Sequence, residues 1–424
     1  YGNAPLLGQD FVVILEGDTY IYYPHVVSND KWKTEICVIN KGDDELSGTM
    51  SLYDSKGALL SDKNITLSSH ARNELLVGKE FSDAEDIRYI IFTSDSPNVC
   101  GYTKFYHEGL YRVAVPAVQS INAGDIYVPH IDSSTKWWTG IALVNTTDAK
   151  KTLDINFNTG ETKQIALAAG EHTQFNIKDL FGGVSQPDLE SAEISPGAGI
   201  IGLELFSAGN TLSGVLLKDD AADILYFPHV VSNDKWWTGI AAYNPNSSTA
   251  SLTVSPYTEL GTALATLSVD IDPGEKYLGD ADDLKLPDGT AWFKINSSQD
   301  LNGFELFGHR NGNLLAGYSV INISSKEGVF PKLEQNGWTG IAFVNTADAN
   351  AKVTLTMYDD DGFQVAEENM TLAAYEKVLG NPEDIFSGSI PAGRYLTFSS
   401  DTDVVGFQLN GSDDGMMLDG LPGM

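Results

Sequence analysis

The chain has 424 residues, 42% of them apolar, with 26 basic against 58 acidic side chains and a net charge of −32. That acidity argues against nucleic acid and anionic lipid as partners, and the apolar fraction excludes a disordered chain. No apolar run approaches the roughly 18 residues that a spanning helix needs, so membrane insertion is not expected.

In chain order, Phe11-Val12-Val13-Ile14-Leu15 reads first as a strand whose free edge can pair with another copy. A block then begins at Pro24-His25 and runs through Trp32-Lys33-Thr34 to Asn40. It returns as Pro129-His130, Trp137-Trp138-Thr139 and Asn145, and again as Pro228-His229, Trp236-Trp237-Thr238 and Asn244. A fourth version reads Pro331-Lys332, Trp338-Thr339 and Asn345. The prolines recur about every 100 residues, the size of a small domain. They divide the chain into repeats 1–118, 119–221, 222–326 and 327–424.

After each block, apolar residues alternate with polar ones: Met50 and Leu52; Leu153, Ile155 and Phe157; Leu252 and Val254; Val353, Leu355 and Met357. Turns ending at Gly57, Gly160, Gly261 and Gly362 follow, so period two and turn chemistry together predict hairpins. Acidic-aromatic turns such as Asp179-Leu180-Phe181 and Asp384-Ile385-Phe386 suit a helical turn. A later strand is marked by Gly101-Tyr102, Gly202-Leu203, Gly303-Phe304 and Gly406-Phe407, and a last one by Leu212-Ser213-Gly214, Leu315-Ala316-Gly317 and Leu418-Asp419-Gly420. Seven or eight strands in about 100 residues predict an all-β chain of four tandem immunoglobulin-like antiparallel β-sandwich repeats. A β-propeller with two blades per repeat is the alternative. Short linkers bring neighbouring repeats into contact, as a semi-rigid rod or a compact curved array.

Read as a strand, the Trp block sorts by parity. Ile36, Ile141, Ile240 and Ile341 face the core with Trp32, Trp137 and Trp236, while Trp138, Trp237 and Trp338 stand on the opposite face beside Gly140, Gly239 and Gly340. A ring next to bare backbone is a platform for a neighbouring repeat, another copy, a peptide or a pyranose. Repeat 1 has Lys33 and Glu35 there, as expected of a terminal repeat with one face in water. His25, His130 and His229 share one position, but Lys332 takes the fourth, so hydrogen bonding is expected ahead of a shared metal. The repeated asparagines are expected to end their strands through side-chain to backbone bonds. Cys37 and Cys100 fall in one repeat, either as a possible disulfide or as two free thiols. No cofactor is expected; calcium on the acidic turns is the one alternative.

The Trp-Thr-Gly-Ile-Ala-x-Val-Asn strand, with Pro-His ahead of it, resembles modules of uncharacterised exported bacterial tandem β-sandwich proteins, over nearly the whole chain. The resemblance implies an extracellular sandwich without assigned chemistry, and the start at Tyr1 fits a mature exported chain. Gly-x-Ser-x-Gly, His-Glu-x-x-His and a phosphate-cradling loop are missing, so an enzyme is not expected. The expected role is a non-catalytic structural or adhesive protein, secreted or at the cell surface, acting through self-association or another extracellular protein. A carbohydrate-binding array is the alternative, with polysaccharide as partner, and an enzyme with one diverged repeat is the second alternative.

Overall fold

A computed structural model describes residues 19–107 and 110–424; the strand expected at Phe11 to Leu15 lies outside the described residues. The chain is almost wholly antiparallel β, and its strands fall into four groups, called modules 1 to 4 below. Module 1 holds β1 (Thr19–Tyr23), β2 (Trp32–Asn40), β3 (Leu46–Tyr53), β4 (Leu59–Leu67), β5 (Arg72–Leu76), β6 (Tyr89–Ser94), β7 (Val99–His107) and β8 (Tyr111–Pro116). These pair as two sheets, β1-β6-β3-β4 and β5-β2-β7-β8.

Module 2 repeats the order with β9 (Ile126–Val128), β10 (Trp137–Asn145), β11 (Lys151–Phe157), β12 (Thr162–Leu167), β13 (His172–Asn176), β14 (Ala192–Ser195), β15 (Ile200–Ala208) and β16 (Ser213–Leu217). In module 3 the sixth and seventh strands fuse. It holds β17 (Ala222–Phe227), β18 (Trp236–Tyr243), β19 (Ala250–Tyr257), β20 (Leu267–Ile271), β21 (Lys276–Asp280), β22 (Trp292–His309) and β23 (Leu315–Ser319). Module 4 does the same with β24 (Ser325–Phe330), β25 (Gly337–Asn345), β26 (Ala351–Tyr358), β27 (Gln364–Leu372), β28 (Lys377–Gly380), β29 (Tyr395–Ser412) and β30 (Leu418–Pro422). The long strands β22 and β29 pass from one sheet into the other, which curls each of these modules into a seven-stranded sheet.

Each module encloses its own core. Ile36, Val38, Met50 and Leu52 fill module 1, and Ile341, Phe343, Val353, Leu355 and Met357 fill module 4, as alternation requires. The layering is that of a sandwich rather than of propeller blades, because each core lies between two facing sheets. The repeated asparagines are buried and fully used: Asn40 Nδ2 donates to Asp44 O (2.7 Å) and Ser68 O (2.9 Å), and Asn345 Nδ2 to Ala349 O (2.7 Å) and Ala373 O (2.8 Å). They tie the end of the Trp strand to the turn ahead of β5 or β28. The repeated threonines tie its start: Thr34 Oγ1 donates to Val27 O (2.6 Å) and accepts from Val27 N (3.0 Å).

The last strand of each module faces a common axis. β8 lies against β16, β16 against β23, β23 against β30, and β30 against β8. The four modules therefore close into a ring, the curved form of the two arrangements expected. Ala114, Gly214, Gly317 and Gly420 occupy the same register in these strands. A Cβ on Gly317 would stand 2.8 Å from Glu305 O of its own module and 2.8 Å from Ser213 Oγ of module 2, so the small residue sets how closely the strands approach.

One open alternative is resolved and two expectations are corrected. Cys37 and Cys100 are buried free thiols. They sit diagonally on adjacent strands, Cys37 opposite Tyr102 and Cys100 opposite Ile39, and diagonal neighbours lie about 7–8 Å apart, too far for ready bridging. Burial pushes the Cys100 thiol up to about 12. Trp32 and Trp137 do not join their own cores; they pack in the apolar clusters that bridge modules 1 and 2 and modules 2 and 3. The face of module 1 bearing Glu35 is not turned to water, since Glu35 is buried against module 4. For the axis, Gly317→Ala is expected to lower the unfolding free energy by about 1–3 kcal/mol through overpacking. Gly388→Ala, which meets open space, is expected to stay within about 0.5 kcal/mol in the same denaturant titration.

Candidate functional site

Consecutive modules meet through equivalent positions. The hairpin turn of one reaches the start of the fifth strand of the next: Ser55 O accepts from His172 N (3.0 Å), Glu259 O from Lys377 N (2.9 Å), and Asp360 O from Arg72 N (2.9 Å). The last of these runs from module 4 back to module 1. Gly57, Gly261 and Gly362 have φ near +80°, and a Cβ on any of them would strike the neighbouring module's backbone. The turns of modules 1, 3 and 4 thus act as hooks between modules, while a Cβ on Gly160 in the module 2 turn would meet nothing.

The residue after the block's proline meets the same fifth strand. His25 Nδ1 and His172 Nε2 share a hydrogen bond at 3.1 Å, Lys276 Nζ donates to His130 Nδ1 at 3.1 Å, and Lys377 Nζ donates to His229 Nδ1. In the fourth place Lys332 pairs with Glu74 (2.6 Å) and Glu35 (3.3 Å). The three imidazoles lie on separate boundaries, and among the described residues no group of three or more His, Cys, Asp and Glu is placed to hold a metal ion. Burial pulls His25 down to about 4 and His172 to about 2, with Arg88 acting in the same direction on both. Burial also lowers Lys276 to about 8 and Lys377 to about 7, against the nearby carboxyls of Glu204 and Glu305. Those two acids are themselves raised by burial, and Tyr318 donates to Glu305.

Strand alternation sends the paired tryptophans to opposite boundaries. Trp138 turns back toward module 1 and lines a cleft with Trp32, while Trp137 goes forward into the apolar cluster that Trp237 of module 3 also joins. Trp338 turns back toward module 3 and lines a second cleft with Trp236. The glycines expected to bare a patch are covered by these rings. A Cβ on Gly140, Gly239 or Gly340 would meet its own tryptophan at 3.0, 2.7 and 3.3 Å, and Trp237 and Trp338 lie flat on Gly308 and Gly411. The Trp-Gly face is therefore turned into the molecule. What it leaves open is a pair of clefts.

The cleft between modules 1 and 2 has a volume of about 320 Å3, with Trp32, Trp138, Phe105, His25, Asn176 and Asp179 in its walls. Between modules 3 and 4 the same positions, Trp236, Trp338, Phe307, His229, Asn381 and Asp384, line a cleft of about 430 Å3. The two lie half a turn apart on the ring. Each has aromatic walls and one Asn-x-x-Asp pair at its mouth, set on the short helical turns Ile177–Phe181 and Pro382–Ile385. Apolar walls with a few oriented polar groups are what a small-ligand site needs. Trp338 is 40% exposed, and beside it a further cavity of about 380 Å3 shares Trp338 and Asn381 and is lined by Gly337 and Glu383.

Of the residues singled out by sequence, Trp138, Trp338, Gly140 and Gly340 line the clefts, whereas Trp237 and Gly239 belong to the packed boundary of modules 2 and 3. Sequence reasoning missed the fifth-strand position of Arg72, His172, Lys276 and Lys377, although a basic residue just after the same turn in every repeat is a readable signal. It also missed the Asn-x-x-Asp pairs, which look like ordinary helix caps.

No family model and no curated protein matches the chain. Among solved structures, it is similar to the crystal structure of Thermotoga maritima 1070 at 16% identity and a TM-score of 0.22, over 24% of this chain and 95% of that one. It is also similar to a calcium-binding mutant of Bacteroides uniformis β-glucuronidase 2 at 12% identity and a TM-score of 0.12, covering 56% of this chain and 27% of the enzyme. A glycoside hydrolase of family 32 from Bifidobacterium adolescentis is 9% identical, with a TM-score of 0.15 over 96% of this chain and 95% of that one. At these scores no argument about fold or activity rests on them.

The neutral histidine pair makes the ring acid-sensitive. Unfolded histidine titrates near 6.5, well above the folded values, so the contribution is intact above about pH 6.5 and is lost as pH falls toward about 4. Thermal unfolding is expected to show a loss of about 2 kcal/mol per such histidine between pH 7 and pH 5. The double variant His25→Phe, His172→Phe is expected to lose correspondingly less, and an unchanged pH dependence would contradict the contact's role.

Proposed function

We propose that the chain is a non-catalytic, extracellular glycan-binding ring whose two clefts each seat the ring of a neutral sugar. The observation that carries this reading is the recurrence of one lining at two boundaries, two tryptophans from successive modules with an Asn-x-x-Asp. Pyranose rings have one face of C–H groups that packs on an indole, and their hydroxyls both donate and accept, which suits an amide and a carboxylate side by side. Asp179 and Asp384, within a chain of net charge −32, oppose uronates and sulfated sugars. The cleft and the neighbouring cavity share Trp338 and Asn381 in their walls, which suits a chain of more than one sugar ring. Two clefts on one molecule give avidity toward a polymer without any further contact.

Retention on insoluble neutral polysaccharide, read with intrinsic tryptophan fluorescence, tests the reading. Trp138→Ala with Trp338→Ala is expected to weaken retention by at least about tenfold, or about 1.4 kcal/mol. Trp237→Ala, at the packed boundary, is expected to lower stability and leave retention unchanged. Retention by the double variant equal to that of the natural chain, or equal binding of neutral and anionic glycans, would count against it.

A further inference from the structure

Three boundaries of the ring join modules that the chain already tethers, and the fourth joins its two ends. That closing boundary is built differently. Gly337 stands where modules 1 to 3 have their first tryptophan, and Lys33 stands where modules 2 to 4 have their second, so neither ring of the usual pair is present. Charges take the place of that pair, beside an apolar cluster in which Ile39 and Tyr102 of module 1 join Val329, Tyr395 and Leu421 of module 4. Lys104 of module 1 meets Glu334 and Asp419 of module 4, the latter at 3.1 Å, and Arg112 pairs with the same two acids. The side chains of Lys104 and Asp419 are completely buried. Nearby, Lys332 pairs with Glu74 and Glu35, and Arg72 with Asp360 at 2.9 Å.

Opening this boundary exposes that apolar cluster together with charged groups that water solvates well, whereas opening any other exposes tryptophan faces. The two faces also complement one another and not themselves. Lys104, Arg112 and Arg72 outnumber Glu35 and Glu74 on module 1, while Glu334, Asp419 and Asp360 outnumber Lys332 and Arg394 on module 4. Buried charge left unpaired is strongly disfavoured, so each face accepts its counterpart and rejects its own kind.

We propose that the module 1 and module 4 faces form a clasp that a second copy of this chain can also satisfy, module 4 of one molecule closing on module 1 of the next. This contact is heterologous, and a heterologous contact either closes or propagates. Four boundaries already consume a full turn, so a ring opened only at the clasp must rise along its axis. The product is a split-washer spiral with one chain per turn. At low concentration the tethered ends find each other first and the ring stays closed.

Charge reversal in full-length chains tests this, whether or not the clefts bind sugar. One variant carries Lys104→Glu and Arg112→Glu; the other carries Glu334→Lys and Asp419→Lys. Each alone sets like charges across its own clasp, while the two together restore opposite charges at both kinds of junction. Light scattering after size separation is expected to show each variant at the chain mass of 45.8 kDa, and the mixture in equimolar complexes of twice that mass or more. A mixture that stays at the chain mass overturns the proposal, as does association of either variant alone. Should either variant fail to fold, the natural chain is exposed to acid at high concentration and returned to neutral pH. A ladder at multiples of the chain mass is expected, and material at the chain mass alone overturns the proposal.

Discussion

The structure depends on a head-to-tail contact between sandwiches, in which the outward face of one Trp-strand sheet seats the edge of the module before it. Ala142, Val144, Ile201 and Leu203 of module 2 meet Tyr22, Tyr89, Phe105 and Val113 of module 1, and their counterparts do the same around the ring. Such a contact leaves one donor face and one acceptor face open at the ends of any linear array. Four copies turn far enough for those ends to meet. The small residues Ala114, Gly214, Gly317 and Gly420 then let the last strands crowd around one axis.

The closing contact has an apolar cluster too, with Ile39 and Tyr102 beside Val329, Tyr395 and Leu421, and the ionic layer added to it suits the order in which the chain is made. Module 1 emerges first and waits for module 4, so its face spends time in water. A tryptophan face exposed for that interval would bind any apolar edge, whereas Lys104, Arg112 and Glu74 remain hydrated until a surface of matching charge arrives. Once closed, the acids are held ionised: burial raises Glu74 and Asp419, but Arg72 and Lys332 on the first, and Arg112 and Lys104 on the second, more than reverse it. The pairs add little net stability, but they make the match specific.

Much of a single module was legible in the sequence, because alternation fixes which side chains enter a core. Val353, Leu355 and Met357 are buried as alternation demands, and Asn345 pins its loop as its repetition suggested. Parity also placed Trp138 and Trp338 off the core. It failed for Trp32 and Trp137 because a strand's first residue lies beyond the opposing sheet, where the nearest apolar surface belongs to the next module. Ring closure was not legible. Lys33, Glu35, Gly337 and Lys332 each read as a local departure, and pattern along the chain cannot reveal that residues some 300 positions apart face one another. The clefts were half visible, since a repeated tryptophan shows in sequence and the gap between two modules does not.

The clefts need successive modules to hold their angle, as they do in the closed ring. Small-angle scattering of the dilute chain tests that closure most directly. Four modules around an axis give a radius of gyration of about 22–27 Å, against about 35–40 Å for four modules of about 13 Å each set end to end. The account predicts the smaller value at neutral pH. The larger one, in a chain with an intact β-sheet spectrum, would contradict it.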